Sequence, residues 1–209
     1  MGHAHIDTAW LWPYDETVRK ITRTLASQLS IAERDTQRAH STRATFSLSQ
    51  VHQMATVAET SPGLFARLQS AVKTGAVEIV GSTWVEMDGN VPSTESFCRQ
   101  FSHGQRWIAK HLTGGVPCNV LWLPDTFGYS GSLPQIARLC GVTGFVSNKL
   151  SWNQHNRFPF HTFAWRSIGN GHAVMAHFSP VEDYNALVNP QELGKAGDAI
   201  RGELFHGSA

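Results

Sequence analysis

His3, His5 and Asp7 stand at alternate positions in Gly2–Arg19, GHAHIDTAWLWPYDETVR. In an extended segment the side-chain period of two sets all three on one face, successive groups about 6.5 to 7 Å apart. Neutral imidazole nitrogen and carboxylate oxygen are ligands that a zinc-type cation takes readily, so two of the three can share a divalent ion. A His-x-Asp pair also occurs as a hydrogen-bonded turn, and residues downstream must decide between the two. The second chemistry-bearing stretch is Leu121–Ser130, LWLPDTFGYS. There Asp125 follows an apolar run and a proline, with Phe127 and the turn-forming Gly128 behind it. It stands too far ahead of the helix expected at Leu133 to be that helix's N-cap, so its carboxylate needs another role.

The elements that must position these groups follow from periodicity. Pro13, Asp15 and Glu16 make a good first helical turn, and Val18, Ile21, Leu25, Leu29 and Ala32 recur at spacings of three and four. Residues 44–49 read as a short strand ended by Gln50. Ser61-Pro62 opens a helix carrying Leu64, Leu68, Ala71 and Val72, which Gly75 ends, and 76–80 is the next strand. Ser93 caps a helix with the stripe Phe97, Phe101, Ile108 and Leu112, followed by a buried strand over 116–123. A short helix over 133–140 closes at Gly141, and 142–146 is strand-like. Segments 160–166 and 172–178 alternate and are joined by Gly169-Asn170-Gly171, a hairpin signal. Strand alternating with helix predicts an α/β fold with a mostly parallel βα-repeat sheet or barrel, in which the loops after the strands gather at one face. His5 and Asp7, then Gln50, then Trp84, Glu86 and Asp88, then Asp125, then Lys149 and Trp152 all follow strands in this reading. Each has an ordinary explanation singly: Asp88 before Gly89 as a turn, Lys149 as a solvated charge, Trp84 or Trp152 as core. Their recurrence at five strand ends points to a site.

Composition narrows the partners. The 209 residues suffice for one substantial core, and a formal net charge of +1 implies neither nucleic acid nor a membrane surface as partner. No apolar run approaches a membrane span of about 20 residues, and no leader pattern opens the chain. Cys98, Cys118 and Cys140 are odd in number and share no C-x-x-C spacing, which favours a reducing cytoplasm over a disulfide framework.

Taken together, HAHIDTAWLWP, WVEMDGN and WLPDTFGYS, in that order, resemble glycoside hydrolase family 38, the retaining α-mannosidases, in its cytosolic and bacterial branch. The resemblance spans residues 2–185. It implies an incomplete (β/α)7-type barrel and a mannose-containing oligosaccharide as substrate. It also implies that His5 and Asp7 ligate zinc, with cobalt as the alternative, and that Asp125 is both metal ligand and catalytic nucleophile. Trp10 would lie beneath the bound sugar and His3 behind the ligands. Phe127 would line the pocket, and Trp84, Asp88 and Lys149 would be substrate-side groups. A retaining glycosidase sets a second carboxyl group about 5 to 5.5 Å from its nucleophile. The family's acid/base Asp and last zinc-ligand His lie beyond the matched stretch, and His206, Glu182 and Asp183 fit neither pattern.

With six residues ahead of Asp7, the first strand has little root. The expectation is therefore a piece of a longer mannosidase, residues 1–188 being part of its catalytic domain and 189–209 a tail. Such a piece is expected to be poorly stable or to self-associate as a homo-oligomer. Two other readings stand beside it. One is a metal-dependent hydrolase of the deacetylase or amidase type, with Asp125 as a base acting on water. The other is an inactive truncated remnant that at most binds metal or sugar.

Overall fold

The computed structural model describes residues 2–35, 45–156, 158–169, 171–181, 191–192 and 194–198. The chain forms two compact units, one of the residues up to Glu86 with Ser93–Val120, the other of Met87–Pro92 with the residues from Leu121 onward.

The first unit is built on a parallel three-stranded sheet in the order β1 (Gly2–His3), β2 (Phe46–Leu48), β3 (Val77–Ile79). Gly2 lies opposite Phe46 and His3 opposite Ser47, while Phe46 faces Val77 and Leu48 faces Ile79. Helices α1 (Tyr14–Asp35), α2 (Val51–Thr60), α3 (Pro62–Lys73) and α4 (Thr94–His111) accompany it. Their apolar faces meet in one core in which Leu29, Val51, Val57, Leu68 and Ile108 are fully buried. Burying each such side chain contributes about 1.5 to 3 kcal/mol. Asp15 and Glu16 sit in the first turn of α1, where the helix dipole favours acids, and Ser93 caps α4 by accepting a hydrogen bond from Ser96 N.

Three local expectations change. The first strand stops at His3, so His5 and Asp7 lie in the loop beyond it. The reason is that Ile6 O is taken by the side-chain amides of Gln50 and Gln53 instead of by β2. Residues 51–60, for which periodicity suggests no element, form α2. Val51, Gln53, Met54, Ala55, Thr56 and Val57 are all buried, so there is little amphipathic contrast, and no side chain caps the helix start. On α1 the buried stripe runs through Thr17, with Ile21, Leu25, Leu29 and Ala32, and Val18 is only partly buried.

The second unit holds a four-stranded sheet in the order β4 (Val120–Trp122), β5 (Gly144–Ser147), β7 (Ala173–Phe178), β6 (Thr162–Arg166), with α5 (Leu133–Leu139) packed on it. β5 and β7 are parallel, and β6 and β7 form the antiparallel hairpin expected from the Gly169 and Gly171 signal, with both glycines at positive φ. Asn170 lies outside the described residues. β4 is shorter than expected, Val116 being 65% exposed. Phe145 centres the aromatic packing, edge-on to Tyr129 at 5.0 Å and to Phe178 at 5.9 Å, and Leu121, Leu133, Val174 and Ala176 are buried in the same unit. The chain is thus α/β, with parallel pairing in both sheets. Among the described residues no helix is long and apolar enough to cross a membrane.

Candidate active site

In the first unit the loop after β1 is held from three sides. Gln50 Nε2 donates to Ile6 O at 2.9 Å and Gln53 Nε2 to the same oxygen at 3.0 Å. Gln50 Oε1 accepts from Thr8 Oγ1 at 3.0 Å and from the Glu86 amide at 3.4 Å. Thr17 Oγ1 donates to Thr8 O at 3.1 Å and accepts from Trp12 Nε1 at 2.8 Å. This explains a hydroxyl on the buried face of α1: it satisfies two polar groups of the loop that carries the motif. Gly81, just past β3, presses against the Ser49 backbone where a Cβ would overlap it, so only glycine fits there.

So held, His5 and Asp7 come together although neither is on a strand, His5 Nε2 lying 3.3 Å from Asp7 Oδ1. The other ring nitrogen, Nδ1, is 2.5 Å from Glu86 Oε2. Glu86 is 6% exposed, and its Oε1 accepts from Ser49 Oγ at 2.5 Å. Ser49 has one proton and gives it to Glu86, so its 2.8 Å contact with His3 Nε2 makes His3 the donor. Burial holds His3 below the ordinary imidazole pKa, outweighing the upward pull of Glu86, which suits a neutral ring donating from Nε2. His3 therefore faces Ser49, behind His5 and Asp7.

The donor set suits zinc on its geometry. Two ligand atoms each about 2.0 to 2.2 Å from a tetrahedral ion stand about 3.4 Å apart, close to the His5–Asp7 separation. A zinc-ligating imidazole also generally turns its other nitrogen to a carboxylate or carbonyl, as His5 does to Glu86.

Trp10 is 57% exposed and makes an isolated antiparallel bridge with Trp12, which leaves its indole largely open to solvent. Trp84 is half-buried against the first unit's core and edge-on to His52 at 6.2 Å. His52 in turn contacts Tyr14 Oη at 2.8 Å.

In the second unit Asp125 lies in the loop after β4, and its Oδ1 is 2.5 Å from Lys149 Nζ. Lys149, on the 3-10 turn Lys149–Trp152, is 7% exposed. Its ammonium lies 3.8 Å from the Trp152 ring centroid and 4.3 Å from that of Phe127. An ammonium between two aromatic faces and a carboxylate is a fixed charge, unlike the solvated lysine that single-residue reasoning suggests. Phe127 itself is 70% exposed. Asp88 is exposed, and its Oδ1 accepts from the amides of Asn90 at 2.7 Å and Val91 at 2.8 Å, an Asx-type turn. That turn is tied to the Asp125 loop by Ser130 N donating to Gly89 O at 2.8 Å and Asn90 Nδ2 to Phe127 O at 3.4 Å.

Two working partners escaped sequence reasoning. Glu86 stands out as an acid after a strand, but nothing in its spacing pairs it with His5. Nor does anything local join Lys149 to Asp125, 24 residues away. His206, Glu182 and Asp183 lie outside the described residues.

Known proteins supply the remaining identification. The chain is 46% identical to Alpha-mannosidase 2C1 of Mus musculus over 195 residues, 93% of this chain and 18% of that relative. It is 43% identical to Alpha-mannosidase of Saccharomyces cerevisiae over 187 residues, 89% of this chain and 16% of that one. The chain thus spans less than a fifth of the length of the curated relatives it matches. A solved alpha-mannosidase from Enterococcus faecalis shares the fold with a TM-score of 0.74 at 20% identity, covering 98% of this chain and 22% of that chain. The profile named Glycosyl hydrolases family 38 N-terminal domain matches residues 1–201. With that match over nearly the whole chain and relatives above 40% identity, the chain belongs to glycosyl hydrolase family 38.

Proposed function

We propose that the protein is a metal-dependent retaining α-mannosidase acting on terminal α-mannosides of oligosaccharides, and that this chain contributes the N-terminal part of its catalytic domain. The observation that carries this reading is 46% identity to an alpha-mannosidase across 93% of the chain. His5, Asp7 and Asp125 would hold the metal, zinc or cobalt, and the 3.3 Å His5–Asp7 separation supports the first two as a pair. When bound, the cation supplies charge stabilisation and fixes the sugar's hydroxyls.

The remaining work falls to side chains. The open indole of Trp10 receives the apolar C–H face of the ring, and Phe127 lines the space beside it. Trp84 and Asp88 are the further substrate-side groups of this proposal. Lys149 Nζ grips one Asp125 oxygen, which orients the other for attack on the anomeric carbon. A bond forms between Asp125 and that carbon, the glycosidic C–O bond breaks, and the leaving oxygen takes a proton from an acid that is assigned to no residue of this chain. Water then releases the sugar with retained configuration. The proposed compartment is the cytoplasm, in keeping with an odd number of cysteines, Cys98, Cys118 and Cys140, that share no C-x-x-C spacing.

The test is hydrolysis of an aryl α-mannoside by the full-length protein, before and after removal of metal, together with mass spectrometry after a fluorinated mannosyl inactivator. The expected result is metal-dependent turnover and an adduct on Asp125. Turnover without an adduct, or an adduct on another residue, overturns the nucleophile assignment. An N-acetyl or amide substrate turned over in preference overturns the mannosidase.

A further inference from the structure

We infer that Glu86 is a positioning residue for the metal, holding His5 from behind so that Nε2 is the ligand atom. This rests on the proposal that His5 binds the metal. A carboxylate that is 6% exposed costs several kcal/mol to bury unless charged or hydrogen-bonding partners compensate. Among the described residues of the first unit its polar side-chain contacts are Ser49 Oγ at 2.5 Å, His5 Nδ1 at 2.5 Å and His3 Nε2 at 3.9 Å. Two of the three belong to the opening motif. Oε1 accepts from Ser49 Oγ, and the buried Oε2 has His5 Nδ1 as its near neighbour at 2.5 Å.

The backbone beneath Glu86 is firmly placed. Trp84 N donates to Gln100 O at 3.1 Å and Val85 N to Gln100 Oε1 at 3.0 Å, both on α4. The Glu86 amide reaches Gln50, the side chain that also holds Ile6 O. Carboxylate and imidazole are thus referenced to one buried glutamine. A cation at Nε2 draws electron density from the ring and strengthens Nδ1–H as a donor, so the carboxylate on one nitrogen and the cation on the other reinforce each other. Glu86 thereby fixes both the tautomer and the plane of His5.

The experiment uses the full-length protein, stripped of metal and titrated with zinc against a chromophoric chelator, with cobalt(II) visible spectra as a second readout. Glu86→Gln keeps the shape and a hydrogen-bond acceptor but removes the charge. It is expected to weaken zinc 10- to 100-fold and to shift the cobalt bands, while the metal-free Tm stays near that of the parent. Zinc affinity within twofold and an unchanged cobalt spectrum overturn the inference. If Glu86→Gln does not fold, Glu86→Asp is read by the same two criteria, since it withdraws the carboxylate by one methylene. His5→Ala separates this failure from that of the underlying reading. Affinity unaffected by His5→Ala removes His5 as a ligand, and the role of Glu86 falls with it. Affinity lost in His5→Ala but kept in both Glu86 variants rejects Glu86 alone.

Discussion

Replacing Gln50 by leucine removes three hydrogen bonds and leaves the volume nearly unchanged. The side chain is 3% exposed and joins Ile6 O, Thr8 Oγ1 and the Glu86 amide. Ile6 O keeps a partner in Gln53, so its loss is that of an ordinary hydrogen bond, about 0.5 to 1.5 kcal/mol. The Glu86 amide and the Thr8 hydroxyl lose their acceptor, and an orphaned buried donor costs about 1 to 3 kcal/mol. The Glu86 bond is long at 3.4 Å and the Thr8 hydroxyl can rotate, so the lower end applies to both. The total expected for Gln50→Leu is about 2.5 to 3.5 kcal/mol. Gln53→Leu removes only one of two donors to Ile6 O and serves as the control, at about 1 kcal/mol. Urea unfolding of the two variants beside the parent, followed by tryptophan fluorescence and compared at a common m-value, reads the difference. Gln50→Leu should also weaken zinc, because the loop and Glu86 lose their common anchor, whereas Gln53→Leu should not. Equal costs for the two variants would show that Ile6 O is the one anchored atom, refuting Gln50 as the link between loop and carboxylate.

Burial pushes the Cys118 thiol up to about 11, so at pH 8 only about 0.1% is thiolate and its labelling by a disulfide reagent should lag well behind that of the less buried Cys98. Peptide mapping of a time course checks this, and equal rates at Cys98 and Cys118 would contradict the burial. Burial also holds His52 below its ordinary 6.5, against a smaller upward pull from Glu59. As pH falls through 6.5 the unfolded state takes up that proton first. Stability contributed by neutral His52 is therefore present above 6.5, declines below it and levels off once the folded imidazole protonates. An NMR titration should place the His52 midpoint below 6.5, and a midpoint at or above it rejects the sign. Lys149→Met keeps the stem between Phe127 and Trp152 but frees the Asp125 carboxylate. In the full-length enzyme kcat on an aryl α-mannoside should fall at least tenfold with a smaller change in KM, about 1.4 kcal/mol of barrier. An unchanged kcat would show that Lys149 does not orient the attack.

The alternation of strand and helix was legible because it rests on periodicities that span whole elements, such as the Ile21, Leu25, Leu29 and Ala32 stripe. What stayed hidden depends on contacts across long sequence separations. Thr17 is polar, so a hydrophobic pattern passes over it in favour of Val18, although its burial follows from bonds to Thr8 and Trp12. Helix α2 is buried nearly all round and offers no amphipathic signal. The closeness of His5 to Asp7 was read from a strand's period of two, yet a loop pinned by Gln50 and Gln53 achieves it. Residue type drew attention to Glu86 and Lys149, but their partners are set by the tertiary fold, which no local spacing encodes.

The cradle around Ile6 and Thr8 also bears on portability. Residues 2 to 12 look like a cassette that could be spliced into another α/β protein to carry the proposed metal ligands with it. Its shape is on loan from Thr17 on α1 and from Gln50 and Gln53 at the start of α2. A graft of the motif alone would carry the ligands and leave the scaffolding behind. The smallest transferable unit joins the first loop to these two helices and to the strand-end carboxylate of Glu86.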